Sequence, residues 1–329
     1  MKMNCAVMLA FLLSGASALL GQEAAYPTAT ITVRAVDEDG NPVPGSKAGG
    51  AFEVPKRGGF GTESVALEGI TDNEGKFIST GQTSSGIVSY GAGKDGYYRT
   101  ANLRYLFKEK AGVQWQPPNP VVEVMLKRIV NPIPMFAKRV ETKMPEDAAP
   151  VGFDLQAGDW VAPYGKGTVK DFIFTVNRTI TSDRDYRATL VLRFSNEGDG
   201  LVPVRDPKSL GSELLLPRTA PEGDYEPERI WNSGRAPTDS GPDVFGRPSE
   251  VMAYFFRVRT VLDEKGRVKS ALYGKMHGDI LLYIGTKAPK AGLGFTCYLN
   301  PTPNDRNVEF DPNRNLFIGL KGLESVSAP

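Results

Sequence analysis

Residues 169–176 read Val-Lys-Asp-Phe-Ile-Phe-Thr-Val, placing Phe172, Phe174 and Val176 at every second position. A period of two puts such side chains on one side of an extended chain, the pattern of a strand with one buried face. Runs of this kind recur along the chain between clusters of Gly, Pro, Asn and Asp. No amphipathic stretch longer than roughly two or three helical turns competes with them. The chain therefore reads as all-β. Its clearest hairpin pairs Tyr254–Leu262 with Val268–Tyr273 across Asp263-Glu264-Lys265-Gly266, and a second pairs Val169–Val176 with Tyr186–Phe194. Between 203 and 249 the pattern lapses into Pro, Gly, Asp and Ser, which marks a functional or mobile loop.

The amino terminus is of a different kind. Lys2 precedes the apolar run Cys5–Leu13, and the small residues Ala16-Ser17-Ala18 follow. The run is much shorter than the roughly 20 residues needed to span a bilayer, so residues 1–18 read as a secretory signal peptide, with Gly21 as a later cleavage point. Cys5 precedes the apolar run and is not placed for lipidation. No later segment is apolar for long enough to anchor the chain. The expected product is a soluble secreted or periplasmic protein.

Lys and Arg total 39 against 38 Asp and Glu, and loss of Lys2 with the leader makes the balance even. Bulk attraction to nucleic acid or to an anionic membrane is excluded. Cys297 is the only cysteine left in the mature chain, so no intrachain disulfide can form and stability rests on the core. A chain this long buries about 75% of its unfolded surface and forms about two domains. Phe295, Cys297 and Leu299 share one face of a strand, which makes Cys297 a buried core thiol.

Turn motifs organise the first third. Ile31–Val36 is followed by Asp37-Glu38-Asp39-Gly40-Asn41-Pro42-Val43-Pro44-Gly45, then Thr71-Asp72-Asn73-Glu74-Gly75-Lys76-Phe77, then Lys94-Asp95-Gly96-Tyr97. Gly40 and Gly75 supply the positive φ that such turns require. In this order the motifs resemble the carboxypeptidase regulatory-like family of transthyretin-like sandwiches. The resemblance covers about residues 27–128. It implies a seven-stranded sandwich in a non-catalytic stalk or accessory role, and supplies no active site. The sequence departs from the family pattern at Ser46, where Ala is expected, and in a longer Gly- and Lys-containing insertion over 46–70. Val121–Leu126 is the expected last strand. Asn131-Pro132-Ile133-Pro134 then ends the pairing, and 129–150 reads as a linker. Residues 151–325 form a second β-rich, sandwich-like domain of unknown function that resembles uncharacterised secreted bacterial proteins.

Few residues nominate themselves for chemistry. The loop Tyr164-Gly165-Lys166-Gly167-Thr168 looks like a phosphate grip but fails the motif. Gly167 follows Lys166 where Ser or Thr is needed, and a strand follows where a helix is needed. His277 is the only histidine, too few for a zinc site, so neither a metal centre nor a cofactor is expected. The oxygen-rich stretch Asn304–Asn313 lacks the spacing of a calcium loop, and turn capping explains it. Asp159, Asp171, Glu309 and Asp311 lie beside aromatic residues and are the candidates for a glycosidase-like carboxylate pair. Arg257 and Arg259 alternate with apolar residues, which places both on one sheet face, either to clamp an anion or to pair with acids on neighbouring strands. Trp160, Tyr164 and Trp231 stand in polar loops. Flat aromatic faces beside amides make a sugar-binding surface, and the competing role is to cap the ends of the sandwich. The functional expectation is a non-enzymatic binding or structural protein of a bacterial envelope, with a glycan or another envelope protein as partner. The alternative is a carbohydrate-active hydrolase. A purely architectural subunit would show itself by an exposed sheet edge or apolar patch.

Overall fold

The computed structural model describes residues 26–56, 60–206, 209–238 and 253–329. The expected signal peptide and its cleavage point lie outside the described residues, as do 207–208 and 239–249 of the irregular stretch. The first unit contains β1 (Thr28–Val36), β2 (Lys47–Pro55), β3 (Thr62–Ile70), β4 (Lys76–Gln82), β5 (Ile87–Gly93), β6 (Tyr97–Tyr98), β7 (Thr100–Leu106), β8 (Glu109–Ala111), β9 (Gln114–Gln116), β10 (Val121–Met125) and β11 (Lys127–Arg128). One sheet runs β10-β1-β9-β8 with β4 also on β1, and faces a second in the order β3-β2-β5-β7. The two enclose a core of Ile31, Val33, Phe52, Val88, Trp115 and Val124. Seven longer strands match the expected sandwich, and the short hairpin β8–β9 adds to it. β10 is the expected closing strand, parallel to β1 from Thr32↔Val121 to Val36↔Met125.

The turns follow from their side chains. Asp37 accepts the amides of Asp39 (3.1 Å) and Asn41 (2.9 Å), and Gly40 closes that turn at φ 82°. Asp72 likewise accepts the amides of Glu74 and Lys76, both at 2.9 Å, before Gly75 at φ 73°. The insertion 46–70 is the hairpin β2–β3, paired without a break from Lys47↔Ile70 to Pro55↔Thr62.

The second unit contains β12 (Phe136–Lys143), β13 (Val151–Asp154), β14 (Asp159–Trp160), β15 (Phe172–Ser182), β16 (Asp185–Arg193), β17 (Gly200–Val204), β18 (Glu228–Arg235), β19 (Ala253–Leu262), β20 (Val268–Tyr283) and β21 (Gly292–Asn300). Five-stranded sheets β12-β21-β20-β19-β17 and β14-β13-β15-β16-β18 pack face to face. Their shared core holds Phe153, Trp160, Phe172, Phe174, Phe256 and Phe295. The outer face of the first sheet is covered as well, by Leu216, Ala220, Val308 and Phe310 packed on Phe255, Tyr273 and Tyr298. Both expected hairpins form, as β15–β16 and β19–β20, and each extends past its expected end. β20 runs on because it is buried far beyond Tyr273, with Met276 and Ile280 still in the core, and β15 runs from Phe172 to Ser182 where 169–176 was expected.

Two stretches differ from the expectation. Within 129–150, read as a linker, Phe136–Lys143 pairs with β21 over its whole length as an edge strand. Prolines 132 and 134 end one sandwich, and the chain enters the next within two residues. The described part of 203–249 is packed rather than loose. Residues 209–214 lie on β7, where Ala101 N donates to Gly211 O and Glu213 N to Arg99 O, both at 2.9 Å. Lys127 Nζ, itself buried, donates to Ser209 Oγ (2.6 Å) and Leu214 O (2.8 Å).

Further bonds join the two units. Glu309, 1% exposed, accepts from Tyr98 Oη (2.8 Å), Val130 N (2.9 Å) and Asn131 N (2.8 Å). Arg218 forks onto both Glu38 oxygens at 2.8 Å. A buried carboxylate with three donors and a bidentate arginine pair are the bonds of an ordered junction.

Candidate functional site

The loop 154–171 is built on two carboxylates. Asp154, at the end of β13, accepts the amides of Gln156 (3.0 Å), Ala157 (3.1 Å), Thr168 (2.9 Å) and Val169 (3.1 Å). Burial opposes its ionisation, yet those amides and Arg259 hold its carboxyl below the ordinary aspartate range. Asp159 accepts Trp160 N (2.8 Å) and Lys166 N (3.0 Å). At Gly165 a Cβ would stand 2.4 Å from Trp160 O, so the loop folds only with glycine there. The amides of Lys166 and Thr168 are thus held by the protein's own acids, and those of Tyr164 and Gly167 by the carbonyls of Val161 and Trp160.

Trp160 is 5% exposed and packs edge-on to Phe153 (5.3 Å) and Phe174 (6.0 Å), while its indole N–H donates to Thr142 Oγ1 at 3.1 Å. It offers no open face for stacking, because Phe153 and Phe174 occupy that space. Trp231 is in strand β18 rather than a loop, paired with Leu190. It is partly buried against Tyr254, and its N–H meets Asp279 Oδ1 at 2.7 Å. Tyr164 alone of the three is well exposed, at 48%. The three aromatics therefore do not form one flat surface.

Arg257 and Arg259 were expected on one face, and the structure separates them. The β19–β20 ladder shifts register between Val258 and Val261, and Arg259 sits at φ 56°. A bulge with one residue in the left-handed region turns the following side chains over. Arg257, buried on the outer side, donates to Gly198 O (2.7 Å) and Glu222 O (3.1 Å) and stacks on Tyr225. Arg259 instead reaches the opposing sheet. It binds both oxygens of Asp171 (2.8 and 2.9 Å) and meets Asp154 Oδ1 (3.1 Å) and Gln156 Oε1 (2.6 Å). Asp171 is 1% exposed, and burial raises its pKa even against the pull of Arg259. Both arginines are structural cations, and neither is set to clamp a ligand.

The remaining nominated groups are likewise engaged. Glu309 sits in the junction, and Asp311 accepts Asn313 N (3.0 Å) and Arg314 Nε (2.6 Å). Asn304–Asn313 is turn capping: Asp305 accepts Asn307 N (3.0 Å), and Asn307 accepts Glu309 N (2.9 Å). Among the described residues no group of three or more His, Cys, Asp or Glu gathers as a metal set. His277 Nδ1 meets Tyr298 Oη at 3.1 Å, and burial pushes its pKa well down. Cys297 is buried, with its thiol pushed up to about 12 by desolvation.

What remains open lies in the first sandwich, where the sequence named no site. A groove of about 520 Å³ runs over the outer face of β3-β2-β5-β7. Its floor is Gly49, Ala51, Ser89 and Gly91, and its rim includes Lys47, Glu68, Tyr97 and Arg99. The glycines are required by backbone proximity: a Cβ on Gly49 would lie 2.3 Å from Leu67 O, and one on Gly91 2.6 Å from Thr100 O. A floor of glycines and small side chains follows from that closeness, and the charged residues stand around it. Lys47 and Glu68 pair across the rim at 2.6 Å. The signal in the sequence was the small-residue runs Gly49-Gly50-Ala51 and Gly91-Ala92-Gly93 inside strands, where Gly marks close approach of another backbone or a ligand.

No family model matches the chain, and no curated protein matches it. Solved structures give distant likenesses. Mercury-inhibited catechol 1,2-dioxygenase from Acinetobacter sp. ADP1 is 12% identical over 33% of this chain and 55% of its own, at a TM-score of 0.24. The streptococcal ancillary pilin is 12% identical over 70% of this chain and 52% of its own, at 0.22. BcpA, the major pilin subunit of Bacillus cereus, is 12% identical over 85% of this chain and 97% of its own, at 0.21. The chain spans about half the length of the dioxygenase and of the streptococcal pilin. Scores this low carry nothing about function. Among the described residues no helix is long and apolar enough to cross a membrane.

Proposed function

We propose that this is an exported, non-enzymatic binding or structural protein of a bacterial envelope, and that its groove over β3-β2-β5-β7 receives an envelope glycan. On this reading the first sandwich is a carboxypeptidase regulatory-like module, which the Asp-capped turns at Gly40 and Gly75 support. The observation that carries the proposal is the pairing of a bare floor with a polar rim. Ala51, Ser89 and Gly91 keep the partly exposed floor low, and Glu68, Lys47 and Arg99 offer carboxylate and cationic hydrogen-bonding groups around it, with the Ser89 hydroxyl on the floor itself. Asp159, Asp171, Glu309 and Asp311, the carboxylates nominated for hydrolysis, are each held by amides or by an arginine, so no open pair favours the hydrolase reading.

The test is calorimetric titration of the mature protein with peptidoglycan fragments and envelope polysaccharides, repeated on Ala51→Phe and Arg99→Ala. Ala51 faces outward on β2, so a phenyl ring there fills the groove without entering the core. Saturable binding weakened at least tenfold by Ala51→Phe is the expected result. Binding that both variants leave unchanged would remove the groove from consideration, and absence of binding across the panel would remove glycan as its ligand.

A further inference from the structure

A sheet edge exposes unpaired N–H and C=O groups that template pairing with another strand, and proteins ordinarily cover or disrupt such edges. This chain covers several of its own. Residues 211–213 lie on β7, Asn315 bonds both backbone groups of Ala137 on β12, and Glu226 exchanges two bonds with Leu201 on β17. β3 is treated differently. It ends its sheet, its ladder among the described residues is with β2 alone, and eight of its nine residues, all except Gly69, are exposed. The strand contains no proline, no lysine and no bulge. Val65 (47% exposed), Leu67 (40%) and Ile70 (65%) add apolar surface to it.

We propose that β3 is a self-association edge, at which two copies of this chain pair antiparallel about a two-fold axis through Ala66. The sequence Thr62-Glu63-Ser64-Val65-Ala66-Leu67-Glu68-Gly69-Ile70 is self-complementary in that register. Val65 faces the partner copy's Leu67 twice, Ala66 faces its own copy on the axis, and Ser64 faces Glu68, so a hydroxyl meets a carboxylate. Glu63 falls opposite Gly69. No two like charges stand directly opposite, which is the condition that cross-strand pairing imposes. Glu68 is further neutralised by Lys47. The product is one continuous sheet of twice the width, closed by an isologous contact. The pairing stands independently of what the groove holds.

The experiment is sedimentation of the mature chain across a concentration series, with Val65→Lys/Leu67→Lys as the edge variant and Ala66→Cys as a reporter of register. Wild-type protein is expected to move from monomer to twice that mass as concentration rises. The double variant should shift the dissociation constant at least a hundredfold while its circular dichroism and melting stay as in wild type. Ala66→Cys should form a disulfide-linked dimer under mild oxidation, because residues opposite each other on the axis bring their Cα atoms about 4.5–5.5 Å apart, within the span a disulfide bridges. Oxidised Ser89→Cys, on the groove floor, should not. A protein monomeric at every concentration overturns the proposal. So does a dimer that the double variant leaves intact or that Ala66→Cys fails to cross-link.

Discussion

Lys275 has no exposed surface, and its Nζ finds no hydrogen-bond acceptor among the described residues. It stands on the outer face of β20, with the amine 5.0 Å from the centre of the Tyr298 ring. His277 follows on the same face, Glu309 attracts the amine weakly, and Lys127 repels it. Desolvation dominates and brings the pKa from 10.5 to about 7. In the unfolded chain the amine holds its proton up to 10.5, whereas in the folded chain it gives the proton up near 7. Between those values the unfolded state binds more protons, so this group makes stability rise with pH. Below 7 both states are protonated and the full penalty is present, about 5 kcal/mol at 1.36 kcal/mol per unit. Lys275→Met keeps the length of the side chain and removes the amine. The variant should be the more stable by about 5 kcal/mol at pH 6, a rise of roughly 10 °C or more in melting temperature for a unit of this size. At pH 9.5 the difference should fall to about 1–2 kcal/mol. Chemical denaturation of both proteins at the two pH values measures it. A gap that does not change with pH, or a variant less stable than wild type, refutes the argument.

Other substitutions separate packing from surface. Trp160→Ala should destabilise by about 3–5 kcal/mol, since it empties a core position, while Tyr164→Ala should stay within about 0.5 kcal/mol in thermal unfolding. Arg259→Ala leaves the buried Asp171 carboxylate without its cation and should lose about 3–5 kcal/mol at neutral pH. Adding Asp171→Asn should restore part of that loss, which denaturant titration of the pair would show. Glu309→Ala removes the acceptor of Tyr98, Val130 and Asn131 and should cost several kcal/mol, because each orphaned donor is worth about 1–3. Limited proteolysis between the two sandwiches should quicken with it. Cys297 should resist maleimide at pH 8 until the protein unfolds, and fast labelling of native protein would contradict its burial.

Much of the architecture was legible because strand periodicity and turn chemistry are local. Phe172, Phe174 and Val176 declared a buried face by spacing alone, and Asp37–Gly40 and Asp72–Gly75 close as their side chains require. The hairpins β15–β16 and β19–β20 follow from the same patterns, as does the burial of Cys297. The candidate site was not legible in this way. Alternation placed Arg257 and Arg259 together, and one bulge sent them to opposite sides. Trp160 and Trp231 carry the composition of a sugar surface, but whether an indole is stacked on by a ligand or by Phe153 depends on what folds against it. Nothing local in the sequence marks Lys275, which becomes a buried amine once residues 308–310 pack over that face. The groove and the open β3 edge arise from how the β2–β3 insertion meets β5 and which edges later segments cover. Local chemistry in the sequence determines strands and turns; contacts between residues far apart in the chain decide which side chains meet water, and therefore which of them can bind anything.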